Sequence, residues 1–208
     1  PNTGTDYFLF GNKVEAVAKE NNILFSVNWV EGQKTGFFLD QRENRKLLGE
    51  FSKGKKVLNT FCYTGGFSIY AMSAGAKLVT SVDISQKAVD LAASNMELNF
   101  PNANHKAVAD DVFNFMKEHT QQYDVIVLDP PAFAKSIKSK HTATQAYKRL
   151  NIAGLKALAP NGILFTFSCS QVIDDVLFNN TVAAAAIETG RNIRVLHKLE
   201  QGPDHPTN

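Results

Sequence analysis

The fold class is decided by residues 57–67, whose sequence is VLNTFCYTGGF. The segment begins as a short apolar strand, passes through the adjacent glycines Gly65 and Gly66, and continues into a predicted helix over 67–73. Adjacent glycines let backbone amides approach a ligand closely, although a plain tight turn would use them equally well. Their spacing differs from the Gly-x-Gly-x-x-Gly pattern of a dinucleotide site, which argues against a pyrophosphate cofactor. The segment predicts the first strand–turn–helix unit of an α/β sheet.

Outward from this unit, short apolar strands alternate with amphipathic segments. Helices are predicted to begin near residue 40, at Ser85 and at Asp111, and to cover 145–158 and 172–187, with a turn at 160–162. This alternation is typical of a doubly wound, mostly parallel, Rossmann-like α/β sheet. The further predicted strands lie at 78–82, 106–109, 124–128, 163–167 and 193–197.

The beginning of the chain follows a different pattern. Residues 14–19 and 23–30 alternate in polarity on either side of Asn21 and Asn22, which predicts a β-hairpin with too little core to be stable alone. We therefore predict a hairpin or linker extension at 1–33 and a main domain at 34–208. Because the chain becomes polar directly after the last predicted strand, we expect the sheet to lack a partner strand at that edge.

Composition excludes several classes of protein. The 208 residues are 44% apolar and 20% charged, with a net charge of +2, which fits one globular domain rather than a disordered chain. No run approaches the roughly 20 apolar residues of a membrane helix, and no signal segment opens the chain. Cys62 and Cys169 are too few for a disulfide framework or a four-thiolate zinc site. We expect a cytoplasmic protein with no metal.

Acidic side chains follow the second and third strands of the predicted sheet. Asp83 comes roughly 20 residues after the glycine turn, where a carboxylate can accept both hydroxyls of a ribose. Asp110 and Asp111 are placed to meet the exocyclic amine of a base. All three acids could instead serve only as partners of helix N-termini. Taken with the glycine turn, they describe a nucleoside cofactor without phosphates, which fits S-adenosyl-L-methionine.

Two further candidates follow the fourth and fifth strands. Asp129 precedes Pro130 and Pro131, and a double proline holds a rigid, open loop that keeps the carboxylate toward the cleft, or simply ends the strand. Cys169 follows the fifth strand between hydroxyl side chains. A free cysteine is often a small core residue, but at this end of a strand it is a candidate nucleophile soft enough to add to a pyrimidine ring. We interpret Cys62 as a packing residue.

Two other segments border the predicted cleft. Residues 130–173 contain no acidic side chain. Within them, Lys135, Lys138 and Lys140 are predicted to surround the mouth of the cleft. They are candidates for contact with the phosphates of RNA, with a solvated basic loop as the alternative. Residues 37–39 could pack over the cofactor, just before the helix that begins near Asp40.

Four motifs occur in the same order as in one known family: residues 34–42, 63–67, 129–135 and 167–170. The chain resembles the bacterial S-adenosylmethionine-dependent 23S ribosomal RNA methyltransferases of the large-subunit methyltransferase I type, which form 5-methylcytosine. The resemblance covers nearly the whole chain. It implies a class I methyltransferase fold with a seven-stranded sheet and an antiparallel last strand. It also implies an N-terminal PUA domain joined by the hairpin, which this chain lacks, as it lacks the last strands.

The resemblance also implies a site. Cys169 would be the catalytic nucleophile, Asp129 would hydrogen-bond the cytosine, and the RNA is the expected partner. The chain departs from related enzymes at Asn59, where many methyltransferases have Asp, and at Ala132 and Phe133, where many cytosine methyltransferases have a second cysteine. The predicted cofactor contacts are Phe37, Asp40, Gln41, Arg42, Phe61, Tyr63, Thr64, Gly65, Gly66, Asp83, Ile84, Asp110, Asp111, Val112 and Asp129.

Three other functions compete with this interpretation. A methyltransferase acting on a guanine nitrogen would share the Asp-Pro-Pro loop and would not need Cys169. A non-catalytic RNA-binding module would have no need of the cofactor residues Asp83 and Asp111. A nicotinamide dehydrogenase is disfavoured by the glycine spacing. The oligomeric state is left open.

Overall fold

The computed structural model describes residues 11, 15–30, 32, 36–134 and 136–202. Its centre is a five-stranded parallel sheet of order β5-β4-β3-β6-β7, and a separate two-stranded antiparallel hairpin is formed by β1 and β2. The strands are β1 (Glu15–Glu20), β2 (Ile23–Asn28), β3 (Lys56–Thr60), β4 (Leu78–Asp83), β5 (His105–Ala109), β6 (Tyr123–Leu128) and β7 (Leu158–Thr166). The helices are α1 (Arg42–Glu50), α2 (Gly66–Ser73), α3 (Gln86–Asn99), α4 (Val112–Glu118), α5 (Lys140–Ala157) and α6 (Asp175–Thr189).

From β3, the chain adds β4 and β5 on one side of the sheet and then β6 and β7 on the other side, so the strand order reverses between β3 and β6. β3 pairs in parallel with β4 on one side and β6 on the other, with Val57 opposite both Val79 and Val125. In doubly wound sheets, the crevice at such a reversal, at the carboxyl ends of the strands, is where ligands bind. The predicted doubly wound α/β fold is confirmed, and the predicted candidate residues follow the carboxyl ends of these strands.

The apolar patterns of the strands explain which faces are covered. β6 has an almost continuous apolar sequence because helices cover both of its faces. On one face, Val125 and Val127 belong to a core shared with α1, α2 and the hairpin. On the other face, Ile126 and Leu128 pack in a cluster with Leu150 of α5. The sheet is therefore the middle layer of three.

The hairpin shares the main core instead of standing apart from it. Asn21 and Asn22 form its turn with φ of 47° and 67°, as a two-residue hairpin turn requires. Phe25 of β2 is completely buried. On α3, the side chain of Asn99 bonds both backbone groups of Leu24, at 2.8 and 2.7 Å. The predicted hairpin is confirmed, and the division at residue 33 stays a prediction.

The structure corrects three sequence-based element predictions. Residues 193–197 are not a strand: they form no ladder with β7, which is the edge of the sheet among the described residues. The predicted turn at 160–162 lies inside β7, where the pairing shifts from Tyr123 opposite Leu158 to Val125 opposite Ile163. Helix α5 begins five residues before the predicted start, following a 3-10 turn at Ile137–Ser139.

Three further predictions concern a membrane helix, a metal site and an antiparallel last strand. No helix within the described ranges is long and apolar enough to cross a membrane. In the same part of the chain, no group of three or more His, Cys, Asp or Glu side chains is arranged to hold a metal ion. The five strands of the main sheet are all parallel, and the antiparallel last strand implied by the resemblance is not among the described residues.

Candidate active site

The turn between β3 and α2 is tightly wound. Phe61, Tyr63 and Gly65 all have positive φ, at 53°, 46° and 79°. The Gly65 N–H donates to Cys62 O at 2.8 Å. A Cβ at position 65 would lie 3.0 Å from the Cβ of Ala92 on α3, a tight contact that adds to the preference of the positive φ for glycine. The turn therefore presents its backbone at the carboxyl end of β3.

Asp83, at the end of β4, is oriented by two backbone amides. Its Oδ2 accepts from Tyr63 N–H at 3.1 Å and its Oδ1 from Ser85 N–H at 3.0 Å. Each carboxylate oxygen has more than one lone pair, so both can also accept a hydroxyl from a ribose. Ile84 beside it is 77% exposed and leaves an apolar surface next to this carboxylate.

The two acids after β5, Asp110 and Asp111, accept different backbone hydrogen bonds. Asp111 is the N-cap of α4, and its Oδ1 accepts from the amides of Phe113 and Asn114, both at 3.0 Å. Asp110 accepts through Oδ1 from Asp111 N–H at 2.7 Å. The exocyclic amine of a base could therefore meet the Oδ2 atoms. Val112 is buried in the core, so its predicted contact would have to come from its backbone.

The segment at 36–41 crosses toward the turn from the other side. Phe37 faces the core, with its ring centroid 4.6 Å from that of Phe25, whereas Phe38 packs edge-on against Tyr63 at 5.5 Å. Phe38 is thus the aromatic residue of this segment nearest the turn, and the sequence pattern did not distinguish the two. Asp40 lies in the 3-10 turn Leu39–Gln41 that leads into α1.

Gln41 connects this segment to the loop after β6. Its Nε2 donates to Asp129 Oδ1 at 3.4 Å, and its Oε1 accepts from Asn44 Nδ2 at 2.7 Å. Asn44 therefore fixes the orientation of the Gln41 amide, so that the NH₂ group faces the carboxylate. Arg42 forms a surface ion pair with Glu43 at 3.0 Å.

A buried ion pair supports the same segment and was missed in the sequence. Arg45 bonds both carboxylate oxygens of Glu20, at 2.7 and 2.8 Å, and donates to Phe38 O at 2.8 Å. Tyr70 donates to Glu20 at 2.9 Å, and burial together with this carboxylate raises the pKa of Tyr70 to about 12. The two charges lie 25 residues apart in different elements, so no local spacing could have predicted their contact.

The loops that follow β6 and β7 meet at the predicted catalytic residues. Asp129 is half-buried, and Cys169 is exposed, with its Sγ donating to Pro130 O at 3.5 Å. Cys62 is the opposite case, because burial raises the pKa of its thiol and keeps it neutral. Of the two cysteines in the sequence, Cys169 is therefore the one that a substrate can reach.

The structure places acidic side chains beside some of the lysines in the acid-free stretch. Lys138 is exposed on the 3-10 turn, but Lys140 pairs with Asp174 at 3.5 Å and Lys148 pairs with Glu188 at 2.6 Å. These acids lie beyond the acid-free stretch of 130–173, and the packing of α6 against α5 brings them back. Lys135, the third predicted RNA contact, lies outside the described residues.

The arrangement as a whole defines a class of protein. The strand order of the parallel sheet reverses at its centre. At the carboxyl ends of the strands, a glycine turn without the dinucleotide spacing follows β3, and carboxylates follow β4 and β5. This is the architecture of a class I methyltransferase. The chain belongs to the S-adenosylmethionine-dependent methyltransferase family, whose model matches residues 2–208.

Comparison with known proteins identifies more specific relatives. "Ribosomal RNA large subunit methyltransferase I" of Aeromonas hydrophila is 42% identical over 98% of this chain and 52% of that protein. The protein of the same name from Vibrio vulnificus is 44% identical over 92% and 50%. The chain thus spans about half the length of these curated relatives. Among solved structures, the chain is similar to "SMU.776, a putative methyltransferase complexed with SAH", with a TM-score of 0.80 and 31% identity, over 96% of this chain and 54% of that one.

Proposed function

We propose that the protein methylates carbon 5 of a cytosine in 23S ribosomal RNA, with S-adenosylmethionine as the methyl donor. Similarity to proteins named ribosomal RNA large subunit methyltransferase I supports the choice of ribosomal RNA, and such a substrate would place the protein in the cytoplasm. The observation that carries the choice of cytosine is the exposed Cys169 thiol beside the Asp129–Pro130 loop. Methylation of a ring nitrogen would not call for a thiol at this place.

The residues around the crevice fit the proposed cofactor. Asp83 would accept the ribose hydroxyls, Ile84 would contact the base, and Asp110 and Asp111 would accept from its exocyclic amine. When bound, S-adenosylmethionine supplies an electrophilic methyl group. The turn, the segment at 36–42 and Asp129 would surround the rest of the cofactor, through the remaining proposed contacts: Phe37, Asp40, Gln41, Arg42, Phe61, Tyr63, Thr64, Gly65, Gly66 and Val112.

Cytosine requires activation because its carbon 5 is a poor nucleophile. In the proposed reaction, the Cys169 thiol gives up its proton to solvent and its sulfur bonds to carbon 6. The π electrons of the 5,6 double bond then move toward carbon 5, which would bond to the methyl group as the methyl–sulfonium bond breaks, with S-adenosylhomocysteine as the leaving group. The carbon-5 proton afterwards passes to solvent water as the sulfur–carbon bond breaks and the double bond returns. Asp129 hydrogen-bonds the amidine edge of the ring and holds it toward the thiol.

RNA must be brought to this crevice with the target base out of its stack. Lys138, Lys140 and Lys135 are the proposed phosphate contacts, since they follow the Asp129 loop directly in the chain. The ion pair between Lys140 and Asp174 leaves Lys138 as the more available of these two described lysines.

The test is methyl transfer from labelled S-adenosylmethionine to unmodified 23S RNA, with the product identified by nucleoside mass spectrometry. Full-length wild-type protein is compared with Cys169→Ala and with Cys62→Ala, which removes the buried thiol as a matched control. We expect 5-methylcytosine from the wild type and from Cys62→Ala, and none from Cys169→Ala.

A different methylated nucleoside, formed equally by Cys169→Ala, would overturn the choice of target atom. In that case Cys169 is structural and the enzyme acts on a nitrogen such as that of guanine. Absence of any methylation by the wild type would leave the non-catalytic RNA-binding module as the function.

A further inference from the structure

A buried hydroxyl pair lies directly behind the proposed catalytic loops. Ser170 is 3% exposed, and its Oγ is 2.9 Å from the hydroxyl of Tyr147, which is completely buried in α5. The same Oγ accepts from Ala134 N–H at 3.2 Å. One serine hydroxyl thus joins three segments: the loop after β6, the loop after β7, and helix α5.

The tyrosine is held firmly on both sides. Its ring centroid lies 4.7 Å from that of Phe133 and 5.6 Å from that of Phe178, which approaches at an interplanar angle of 89°. Aromatic rings packed in these geometries leave little freedom to a buried side chain. The Tyr147 hydroxyl is therefore held in place on helix α5, and its hydrogen bond fixes the position of the Ser170 side chain.

These contacts begin where the pairing of the sheet stops. The last backbone hydrogen bond from the β7 segment to the β6 segment, among the described residues, is donated by Phe167 N–H to Leu128 O at 2.9 Å. Beyond it, Asp129 and Cys169 lie on loops joined by side-chain contacts: Ser170 with Ala134, and Cys169 Sγ with Pro130 O. These side-chain contacts therefore help to set the separation of thiol and carboxylate.

We propose that Tyr147 and Ser170 are positioning residues, which hold the Cys169 thiol and the Asp129 carboxylate at the separation that one cytosine ring requires. The proposal rests on the proposed function, because it concerns the bond between the Cys169 sulfur and carbon 6. A displacement of about 1 Å in a reacting group can lower a rate on the order of a hundredfold. Loss of either hydroxyl would therefore slow adduct formation without removing any group that contacts RNA or cofactor.

The experiment uses Tyr147→Phe and Ser170→Ala in the full-length protein. The matched control is Tyr123→Phe, which removes another buried tyrosine hydroxyl, one bonded to Thr80 Oγ1 at 3.2 Å near the start of β6. The measurements are kcat and KM on unmodified 23S RNA, the Kd for S-adenosylmethionine, the melting temperature, and the rate of covalent adduct formation with RNA containing 5-fluorocytosine.

We expect kcat and the adduct rate to fall about ten- to hundredfold in both variants. The KM for RNA and the cofactor Kd should stay within about twofold of the wild-type values, as a positioning role predicts. Tyr123→Phe should keep its kcat even where its melting temperature falls as far. Equal kcat in all three variants, or parallel loss of cofactor binding and kcat, would overturn the positioning role. If Cys169→Ala retains methylation, the proposed function itself has failed, whatever the results for Tyr147→Phe and Ser170→Ala.

Discussion

At the scale of single residues, the site is defined by polar atoms that have one structural partner and room for a second. Asp83 is the clearest case, since a backbone amide orients each of its carboxylate oxygens. The sequence predicted this residue from its distance to the glycine turn. It could not predict that Tyr63 N–H would be one of the two donors, because that contact depends on the positive φ of Tyr63.

Replacement of Asp83 by alanine should weaken the cofactor. We expect the Kd for SAH to rise at least tenfold, because hydrogen bonds to a charged group contribute about 1.5–3 kcal/mol. Titration calorimetry measures the change. Asp90→Ala is the control, since this carboxylate also accepts a side-chain bond, from Gln86 Nε2 at 2.7 Å, but lies on an exposed face of α3. An unchanged Kd in Asp83→Ala would exclude the ribose contact.

Lys138 and Lys148 should differ in their effect on RNA binding. Lys138→Ala should lower the affinity and reduce the slope of log K against log salt by about 1, as loss of one phosphate contact does. Lys148→Ala removes the same charge, but from an ion pair with Glu188, and should leave the slope unchanged. Fluorescence anisotropy over a salt series distinguishes them. Equal slopes in both variants would remove Lys138 from the RNA-binding surface.

At the scale of elements, the hairpin is the part whose role exceeds its sequence pattern. Alternation and the Asn21-Asn22 turn predicted its existence and both strands. They could not reveal that its Glu20 is the counter-charge of Arg45, or that Asn95 of α3 accepts from Ser26 N–H at 2.7 Å and donates to Thr64 O at 3.0 Å. Long-range polar contacts of this kind have no periodicity.

Glu20→Ala should destabilise the fold strongly. It leaves the Arg45 charge buried without a partner, which typically costs about 3–5 kcal/mol. The double variant Glu20→Leu with Arg45→Met should recover much of this loss, because an apolar pair needs no counter-charge. Chemical denaturation measures both, with Glu43→Ala, from the exposed pair with Arg42, as the control. A small effect of Glu20→Ala, equal to that of the control, would show that the pair does not anchor the hairpin.

At the scale of the whole molecule, a chain of hydrogen-bonded polar groups, all buried except the half-buried His105, crosses three strands. Asn59 donates to Ser68 at 2.9 Å, Ser68 lies 2.7 Å from Ser81, and Ser81 lies 2.8 Å from His105 Nε2. Asn59 therefore has a packing role on β3, at the position where many methyltransferases have an aspartate. The doubly wound fold class, by contrast, could be predicted, because apolar runs and turns are local signals and few topologies connect them.

His105 should make stability depend on pH. Burial lowers its pKa to about 4, below the ordinary value of 6.5. As the pH falls from 6.5 toward 4, the unfolded chain takes up a proton that the native state does not, so stability is lost over this range. Wild-type protein should lose on the order of 1–2 kcal/mol more than His105→Gln over it, after screening by solvent. Urea unfolding at several pH values tests this, and parallel curves would contradict it.

The way the hairpin is anchored has a consequence for producing pieces of this protein. An expression fragment starting at residue 34 would leave the Arg45 guanidinium, the Asn95 amide and the Asn99 amide without their partners in β1 and β2. It would also uncover the apolar surface that Phe25 now seals. Such a fragment would aggregate or unfold, although every proposed catalytic residue is on it. The smallest working piece for ligand screening therefore has to start ahead of Glu15, and a library of truncations should show a sharp loss of yield between there and Asn28.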